Sequence, residues 1–226
     1  MVTGAEQIRS MFDSISPAYD LLNRLLSFGR DMRWRKRAAA AIGFCDGDYA
    51  LDLACGTGDM ITAIRAFNGK CRIVGADFSQ RMLALCKKKV RAEIVAADAC
   101  ALPFKDAVFD KVTMVFGFRN VMDKPLALSE LFRVLKSGGR VAILEFSKPN
   151  FLFSHFFLFY FRFVLPRIGA VLSGHKRAYS YLPESVMRFP DEAEYRKMLE
   201  KAGFSDICFT PYDFGICTVA MAVKTS

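Results

Sequence analysis

The chain has 226 residues, enough to bury one substantial core, and carries 32 Lys and Arg against 23 Asp and Glu, a net charge of +9. Seven cysteines, at 45, 55, 71, 86, 100, 208 and 217, form no C-x-x-C pair, which argues against a disulfide framework and a zinc cluster and for a reducing compartment. No apolar signal core opens the chain, because Glu6, Arg9 and Asp13 interrupt it, so the expected location is the cytosol. The basic balance and the 22 phenylalanines point to an anionic partner, either nucleic acid or the headgroups of a membrane leaflet.

Residues 1–45 read as an N-terminal helical cap. Met11-Phe12 is followed by Ser16-Pro17-Ala18-Tyr19-Asp20, where Pro17 marks a helix start, and Leu21, Leu22, Leu25 and Leu26 recur at helical spacing. Because this segment precedes the first strand, it is placed to cover a site rather than to build the sheet. Arg30, Arg33, Arg35, Lys36 and Arg37 around Trp34 form a basic helix, read either as a solvated face or as a contact for membrane or nucleic acid.

The apolar run Ala50 to Ala54 is the first strand, and it breaks into Gly56-Thr57-Gly58 before a helix. Glycines there let backbone approach a ligand, and the amides opening the helix face the same point. Ile61 stands where a dinucleotide fingerprint needs a third glycine, so a nucleotide-like cofactor fits and a pyrophosphate does not. Cys71 to Ala76 is the second strand. Asp77 at its end is expected either to hydrogen-bond ribose hydroxyls or to cap the helix Ser79–Lys89, whose final lysines answer the negative helix end.

Ile94 to Ala97 is a third strand, followed by Asp98-Ala99. Lys111 to Phe116 is a fourth, apolar on both faces, opening into Gly117-Phe118-Arg119-Asn120. Leu128, Leu131, Phe132 and Leu135 set a helix that should stop at Ser137-Gly138-Gly139, before strand five, Val141 to Phe146. Asp191 with Glu194 caps a last helix bearing Tyr195, Met198, Leu199 and Ala202, which Gly203 ends, and strands at about 206–212 and 217–223 close the chain. Strands alternating with helices give an α/β doubly wound sheet.

Residues 151–172 break the rhythm, being apolar and aromatic on nearly every side. Arg162 mid-segment, with His155, Pro166 and Arg167 nearby, argues against a bilayer span. A buried core helix and an apolar lid over a lipid-like substrate remain, and the lid, extended over 148–190, is preferred.

Taken together, Leu-Asp-Leu-Ala-Cys-Gly-Thr-Gly-Asp at 51–59, Asp77, Asp98-Ala99 before Leu102-Pro103-Phe104, and Leu135 to Gly139 resemble the class I S-adenosylmethionine (AdoMet)-dependent methyltransferases. Phe12-Asp13, Ala18-Tyr19-Asp20, Phe116 to Val121, Glu145-Phe146-Ser147-Lys148-Pro149 and Tyr179 to Ser185 are similar to the narrower UbiE/MenG/Coq5 quinone C-methyltransferase family. That resemblance implies a Rossmann-like seven-stranded sheet with its last strand antiparallel, one methyltransferase domain over 1–226, and S-adenosyl-L-methionine as cofactor. It implies methylation of demethylmenaquinol, or of a prenylated benzoquinol, at the inner face of a membrane. By position, Gly56, Thr57 and Gly58 should line the methionine end, Asp77 the ribose, Asp98 and Ala99 the adenine, while Asp52 orders the glycine loop. Val115, Ala220, Ala222 and Gly174-His175 depart from the family pattern and bear on the substrate pocket.

A sulfonium methyl is already electrophilic, so no metal is required, and the enzyme must supply positioning and a stabilised phenolate. Arg119 is too basic to act as base and is expected to stabilise the phenolate or hold a water, with a structural salt bridge as the alternative. Asn120 would orient, and Tyr19 or Asp20 would receive the proton, unless both serve only helix-start packing and capping. His155 and His175 read as lid or structural residues. Nucleic acid is not expected, since Phe-Gly-Phe-Arg-Asn replaces the Asn/Asp-Pro-Pro-aromatic pattern of base methylation and residues 151–163 lack interleaved cations. A non-catalytic AdoMet-binding protein is the remaining alternative. Exposed aromatic surface favours a membrane or a homodimer as cover.

Overall fold

Each strand of this chain is apolar where two layers of helix must cover it. The computed structural model describes residues 4–147 and 176–225. Seven strands run in the order β3-β2-β1-β4-β5-β7-β6: β1 (Tyr49–Leu53), β2 (Arg72–Asp77), β3 (Glu93–Ala96), β4 (Phe109–Val115), β5 (Leu135–Phe146), β6 (Phe204–Tyr212) and β7 (Cys217–Lys224). Strands β1 to β5 are mutually parallel and β7 runs antiparallel to both neighbours, with Ile143 opposite Ala220. Leu51, Leu53, Val112, Met114 and Ile143 are buried, as central strands sandwiched between helices require.

The helices are α1 (Gly4–Ile15), α2 (Tyr19–Leu26), α3 (Arg30–Ile42), α4 (Asp59–Phe67), α5 (Gln80–Lys89), α6 (Lys124–Val134), α7 (Lys176–Met187) and α8 (Glu192–Lys201). One face of the sheet packs Trp34, Ala38, Ile42, Ile61, Ile64 and Cys86, and the other packs Phe109, Phe118, Leu128, Leu131, Tyr195 and Leu199. Among the described residues, no helix is long and apolar enough to cross a membrane.

Three local expectations need correction. Helix α6 ends at Val134, not at Gly138-Gly139: Leu135 is extended (φ −73, ψ 142) and pairs with Phe109 as the first residue of β5. The two glycines sit inside the strand at a register shift, and a Cβ on Gly139 would stand 2.8 Å from the Lys136 carbonyl oxygen. The leucine stripe of the cap divides, since Leu22 is buried while Leu21 and Leu25 face outward. The basic helix α3 is not one solvated face either, because Asp31, Trp34 and Arg35 are buried and Arg33, Lys36 and Arg37 are exposed. Pro17 does open a helix, through one 3-10 turn at Ser16–Ala18. The apolar run 151–172, His155, Gly174 and His175 lie outside the described residues, as does most of the expected lid at 148–190.

Candidate active site

The site is built where β1, β2 and β4 end. After β1 the backbone turns through three left-handed residues, Ala54 (φ 55), Gly56 (φ 54) and Gly58 (φ 92). A Cβ on Gly58 would meet Cys86 Sγ at 2.9 Å, so only glycine fits. The Cys55 amide donates to the Ala76 carbonyl at 3.0 Å and the Gly58 amide to the Cys55 carbonyl at 2.9 Å. Asp77 secures the turn from the next strand: Oδ2 accepts from the Gly56 amide and Oδ1 from the Ser79 amide, both at 2.9 Å. Burial pushes its carboxyl up to about 6. Asp77 is therefore a turn tie and sits beside the helix cap, while Ser79 itself caps α5 by accepting from the Met82 amide at 3.1 Å.

Asp52 makes no bond to the turn, contrary to expectation. Its Oδ1 accepts from Thr113 Oγ1 of β4 at 2.8 Å, its Oδ2 is buried without a partner, and desolvation raises the group to about 7. Asp77 bonds the loop instead, because Asp52 stands opposite Thr113 in the β1–β4 register and its carboxyl is taken up there. Asp98 lies exposed beyond β3, its Oδ1 accepting from the Cys100 amide at 2.8 Å, with Ala99 beside it. The Ala97 amide donates to the Asp77 carbonyl at 3.0 Å, which keeps the ends of β2 and β3 together.

The N-terminal cap is locked onto this turn by charge. Thr57 Oγ1 donates to Asp20 Oδ1 at 2.5 Å, and Lys89 Nζ donates to Asp20 Oδ2 at 2.8 Å and also to Asp59. Arg24 Nη2 reaches Asp59 Oδ2 at 2.6 Å and its other nitrogen bonds Asp31, which also takes Arg35 at 3.0 Å. Lys89 thus bridges two carboxylates and does more than answer a helix dipole. The ring of Tyr19 covers the turn, 4.0 Å from where a Gly56 Cβ would stand. Further along the cap, Ser79 Oγ donates to Asp13 Oδ1 at 2.6 Å, and Phe12 packs edge-on against both Tyr19 and Phe78.

Arg119 follows β4 in a 3-10 turn, Phe118–Asn120. Its Nη1 donates to Glu145 Oε1 at 2.7 Å and to the Phe116 carbonyl at 2.6 Å, and its amide donates to Glu145 Oε2 at 3.0 Å. The salt bridge weighed from the sequence is therefore present, between side chains 7% and 2% exposed. Two polar atoms remain: Arg119 Nε and Asn120 Oδ1 are buried without partners among the described residues. One donates and the other accepts, one residue apart. Tyr181 of α7 lies within electrostatic reach of Arg119 and Glu145, and burial raises its phenol.

Sequence reasoning placed Glu145, Asp59 and Tyr181 only inside family motifs with no individual role, and gave Lys89 only that of answering a helix end. The one available signal was a carboxylate inside the apolar run Val141–Phe146, which a buried strand tolerates only beside a counter-charge. Beyond Glu145 a cavity of about 240 Å³ opens between the antiparallel edge of the sheet and α7–α8, lined among others by Phe146, Phe189, Tyr195 and Phe209.

A model of the ubiE/COQ5 methyltransferase family matches residues 1–224. The chain is 47% identical over 228 residues to "Ubiquinone/menaquinone biosynthesis C-methyltransferase UbiE" of Geobacter sulfurreducens, covering 97% of this chain and 89% of that one. It is 45% identical over 215 residues to "Demethylmenaquinone methyltransferase" of Thermus thermophilus, covering 92% and 97%. Among solved structures it resembles a SAM-dependent methyltransferase from Thermotoga maritima, with a TM-score of 0.68 at 20% identity over 96% of this chain and 99% of the other, a likeness of fold.

Proposed function

This chain belongs to the ubiE/COQ5 methyltransferase family, and from that membership and the site's geometry we propose that it methylates a ring carbon of demethylmenaquinol. It is an AdoMet-dependent C-methyltransferase of menaquinone/ubiquinone biosynthesis. The residues fit the cofactor: a left-handed glycine turn leaves room for close approach, and Asp77 and Asp98 stand at adjacent strand ends. Gly56, Thr57 and Gly58 would hold the methionine end, Asp77 the ribose, and Asp98 with Ala99 the adenine; Asp52 would support them only through the β1–β4 link to Thr113. When bound, the cofactor supplies an electrophilic methyl group.

The remaining chemistry belongs to the chain. A quinol carbon becomes nucleophilic as its neighbouring hydroxyl loses a proton, so the site must take an O–H and stabilise an O⁻. Arg119 Nε–H and Asn120 Oδ1, a buried donor beside a buried acceptor, are complementary to one hydroxyl group, and this pair is the observation that carries the proposal. Glu145 and the Phe116 carbonyl both engage Arg119 through Nη1, which holds the guanidinium in place and leaves Nε–H available. Asp20 accepts from Thr57 and from Lys89, and we assign it to holding the cap on the glycine turn rather than to receiving the proton. Tyr19, lying on the turn, is left as the hydroxyl that relays the proton to water. The substrate's prenyl chain brings the enzyme to a membrane leaflet.

Transfer of label from radiolabelled AdoMet tests the reading, with demethylmenaquinol, a demethylated ubiquinol precursor and RNA offered in parallel. Label is expected in the naphthoquinol and not in RNA. Measurable AdoMet binding with no label in either quinol would overturn the substrate assignment and leave the cofactor site standing.

A further inference from the structure

Lys124 stands where a helix least favours a lysine. It is the first residue of α6, at the positive end of the helix dipole. Asp123 already caps that end by accepting from the Leu126 amide at 2.9 Å, so the lysine is not what starts the helix. Its side chain is half-buried, and desolvation holds the ammonium below the usual lysine range, with the charge of Glu145 working against the shift. Among the described residues its hydrogen bonds go to carbonyls and not to a carboxylate. A side chain placed against both the dipole and burial has to be explained by what it holds.

What it holds is the turn that carries Arg119 and Asn120. Lys124 Nζ donates to the Val121 carbonyl at 2.9 Å and to the Arg119 carbonyl at 3.4 Å, one on each side of Asn120. The turn's own bonds are short-range: the Asn120 amide donates to the Gly117 carbonyl at 3.0 Å and the Val121 amide to the Phe118 carbonyl at 3.1 Å. Asn120 Nδ2 reaches the Phe116 carbonyl only at 3.4 Å. Helix α6, by contrast, is seated in the core by Ala127, Leu128, Leu131 and Val134, all buried. One ammonium therefore joins a three-residue turn to a firmly packed helix. Glu145 serves the Arg119 guanidinium from β5 in the same way, so the two members of the buried donor–acceptor pair are held from different elements.

We propose that Lys124 is a positioning residue for methyl transfer: it clamps the Phe118–Asn120 turn to α6 and keeps Asn120 Oδ1 in register with Arg119 Nε, so that both meet one substrate hydroxyl. The inference rests on the reading of that pair as the seat of a quinol hydroxyl. Lys124 touches no reacting atom in this role and acts through the backbone of Arg119 and Val121. The donor and the acceptor have to reach the same oxygen, and a misplacement of about 1 Å costs on the order of 10²-fold in rate. Gly56, Asp77 and Asp98, proposed to hold the cofactor, follow other strands, so the clamp governs turnover and not AdoMet affinity.

The test compares the wild-type chain with Lys124→Met, which keeps an unbranched side chain and removes the ammonium. Amide exchange with deuterium, read by NMR, should be about tenfold faster at Asn120 and Val121 and unchanged along α6. On demethylmenaquinol, kcat should fall about 10–100-fold, with the KM for the quinol changed far less and the AdoMet Kd within about twofold of wild type. A merely structural role would not lower kcat while leaving α6 and cofactor affinity as they were. Wild-type kcat in the variant, unchanged exchange at the turn, or AdoMet affinity lost in step with kcat would each overturn the proposal. A Lys124→Met chain that does not fold would place the lysine in the anchoring of α6 and overturn it as well. A wild-type chain that methylates no quinol would remove the proposed function, and the exchange rates would still decide whether Lys124 holds the turn.

Discussion

Replacing Glu145 by Gln keeps the shape of the side chain and removes the one carboxylate bonded to Arg119 among the described residues. Both members are desolvated, with side chains 7% and 2% exposed, so water cannot take over for the lost charge. Removing one partner of such a buried pair costs about 3–5 kcal/mol, because the other charge is left uncompensated. Replacing both charges with apolar groups of similar size costs far less, so Arg119→Met with Glu145→Leu should recover most of the stability lost in Glu145→Gln. Activity should not recover. The double variant lacks the Nε donor proposed to meet the substrate hydroxyl, and removal of one oxyanion-stabilising donor costs about 10²–10³-fold in kcat. Urea midpoints of wild type, Arg119→Met, Glu145→Leu and the double variant give the coupling energy, and a transfer assay on each, and on Glu145→Gln, gives kcat. The reasoning fails if Glu145→Gln unfolds within about 1 kcal/mol of wild type, or if the apolar double variant turns over normally.

Lys89→Met leaves Asp20 and Asp59 without their shared cation, so the cap should loosen from the glycine turn and AdoMet should dissociate about tenfold faster, with Lys89→Arg restoring most of the effect; stopped-flow displacement reads it. Asp52, raised by burial to about 7, is held protonated in the folded chain at pH values where the unfolded carboxyl is ionised, so its contribution to stability is full below about pH 4 and lost as pH rises toward 7. Asp52→Asn keeps the acceptor for Thr113 and should remove up to about 3 kcal/mol of that pH dependence between about pH 5 and pH 8 in urea unfolding; an unchanged slope would show that Asp52 is not its source. Asp77, raised to about 6, adds a smaller slope of the same sign that should survive in the variant. Gly58→Ala forces a Cβ against Cys86 at φ 92 and should weaken cofactor binding by about 1–3 kcal/mol in calorimetry, while Gly29→Ala, with open space around it, should leave it unchanged.

What the sequence made legible is what lies close together along the chain. The strand-turn-helix at 50–60, the capping Asp191 and the acidic strand end at Asp77 are all read from short-range pattern, and each is in place, although the cap of α5 offered to Asp77 falls to Ser79. The mistaken helix end at Leu135 has a specific cause: its leucine satisfies the helical period of α6 and the apolar demand of β5 equally, and pairing with Phe109 decides between them. The cap network was out of reach for another reason. Asp20 and Thr57 are 37 residues apart, and Lys89 and Asp20 are 69 apart, so only the folded sheet brings these charges together. Glu145 was visible as an anomaly in a buried strand, but its partner could be named only once β4 and β5 were adjacent.

The order β3-β2-β1-β4-β5 also explains why the two halves of the reaction fall where they do. The chain leaves β1 toward β2 on one side and reaches β4 on the other, so the loops after β1 and β4 diverge and leave a crevice at their carboxyl ends. Gly56, Asp77 and Asp98, proposed to hold the cofactor, follow β1, β2 and β3, whereas Arg119, Asn120 and Glu145, proposed to hold the acceptor, belong to the turn after β4 and to β5. At the crevice the strand ends approach so closely that a Cβ on Gly117 would stand 2.5 Å from Ala54 Cβ, and both Ala54 (φ 55) and Phe116 (φ 56) turn left-handed to leave the sheet. Strain in non-glycine residues at one point is what a fixed transfer distance would require, since methyl donor and ring carbon must be held within about 3–3.5 Å. The cap closes both sides at once: Tyr19 lies on Gly56, while Leu22 and Leu26 belong to the same apolar cluster as Phe146, Leu182 and Val186. A loosened cap therefore affects cofactor retention and acceptor positioning together, and the Lys89→Met variant should show both, with slower turnover accompanying faster AdoMet release.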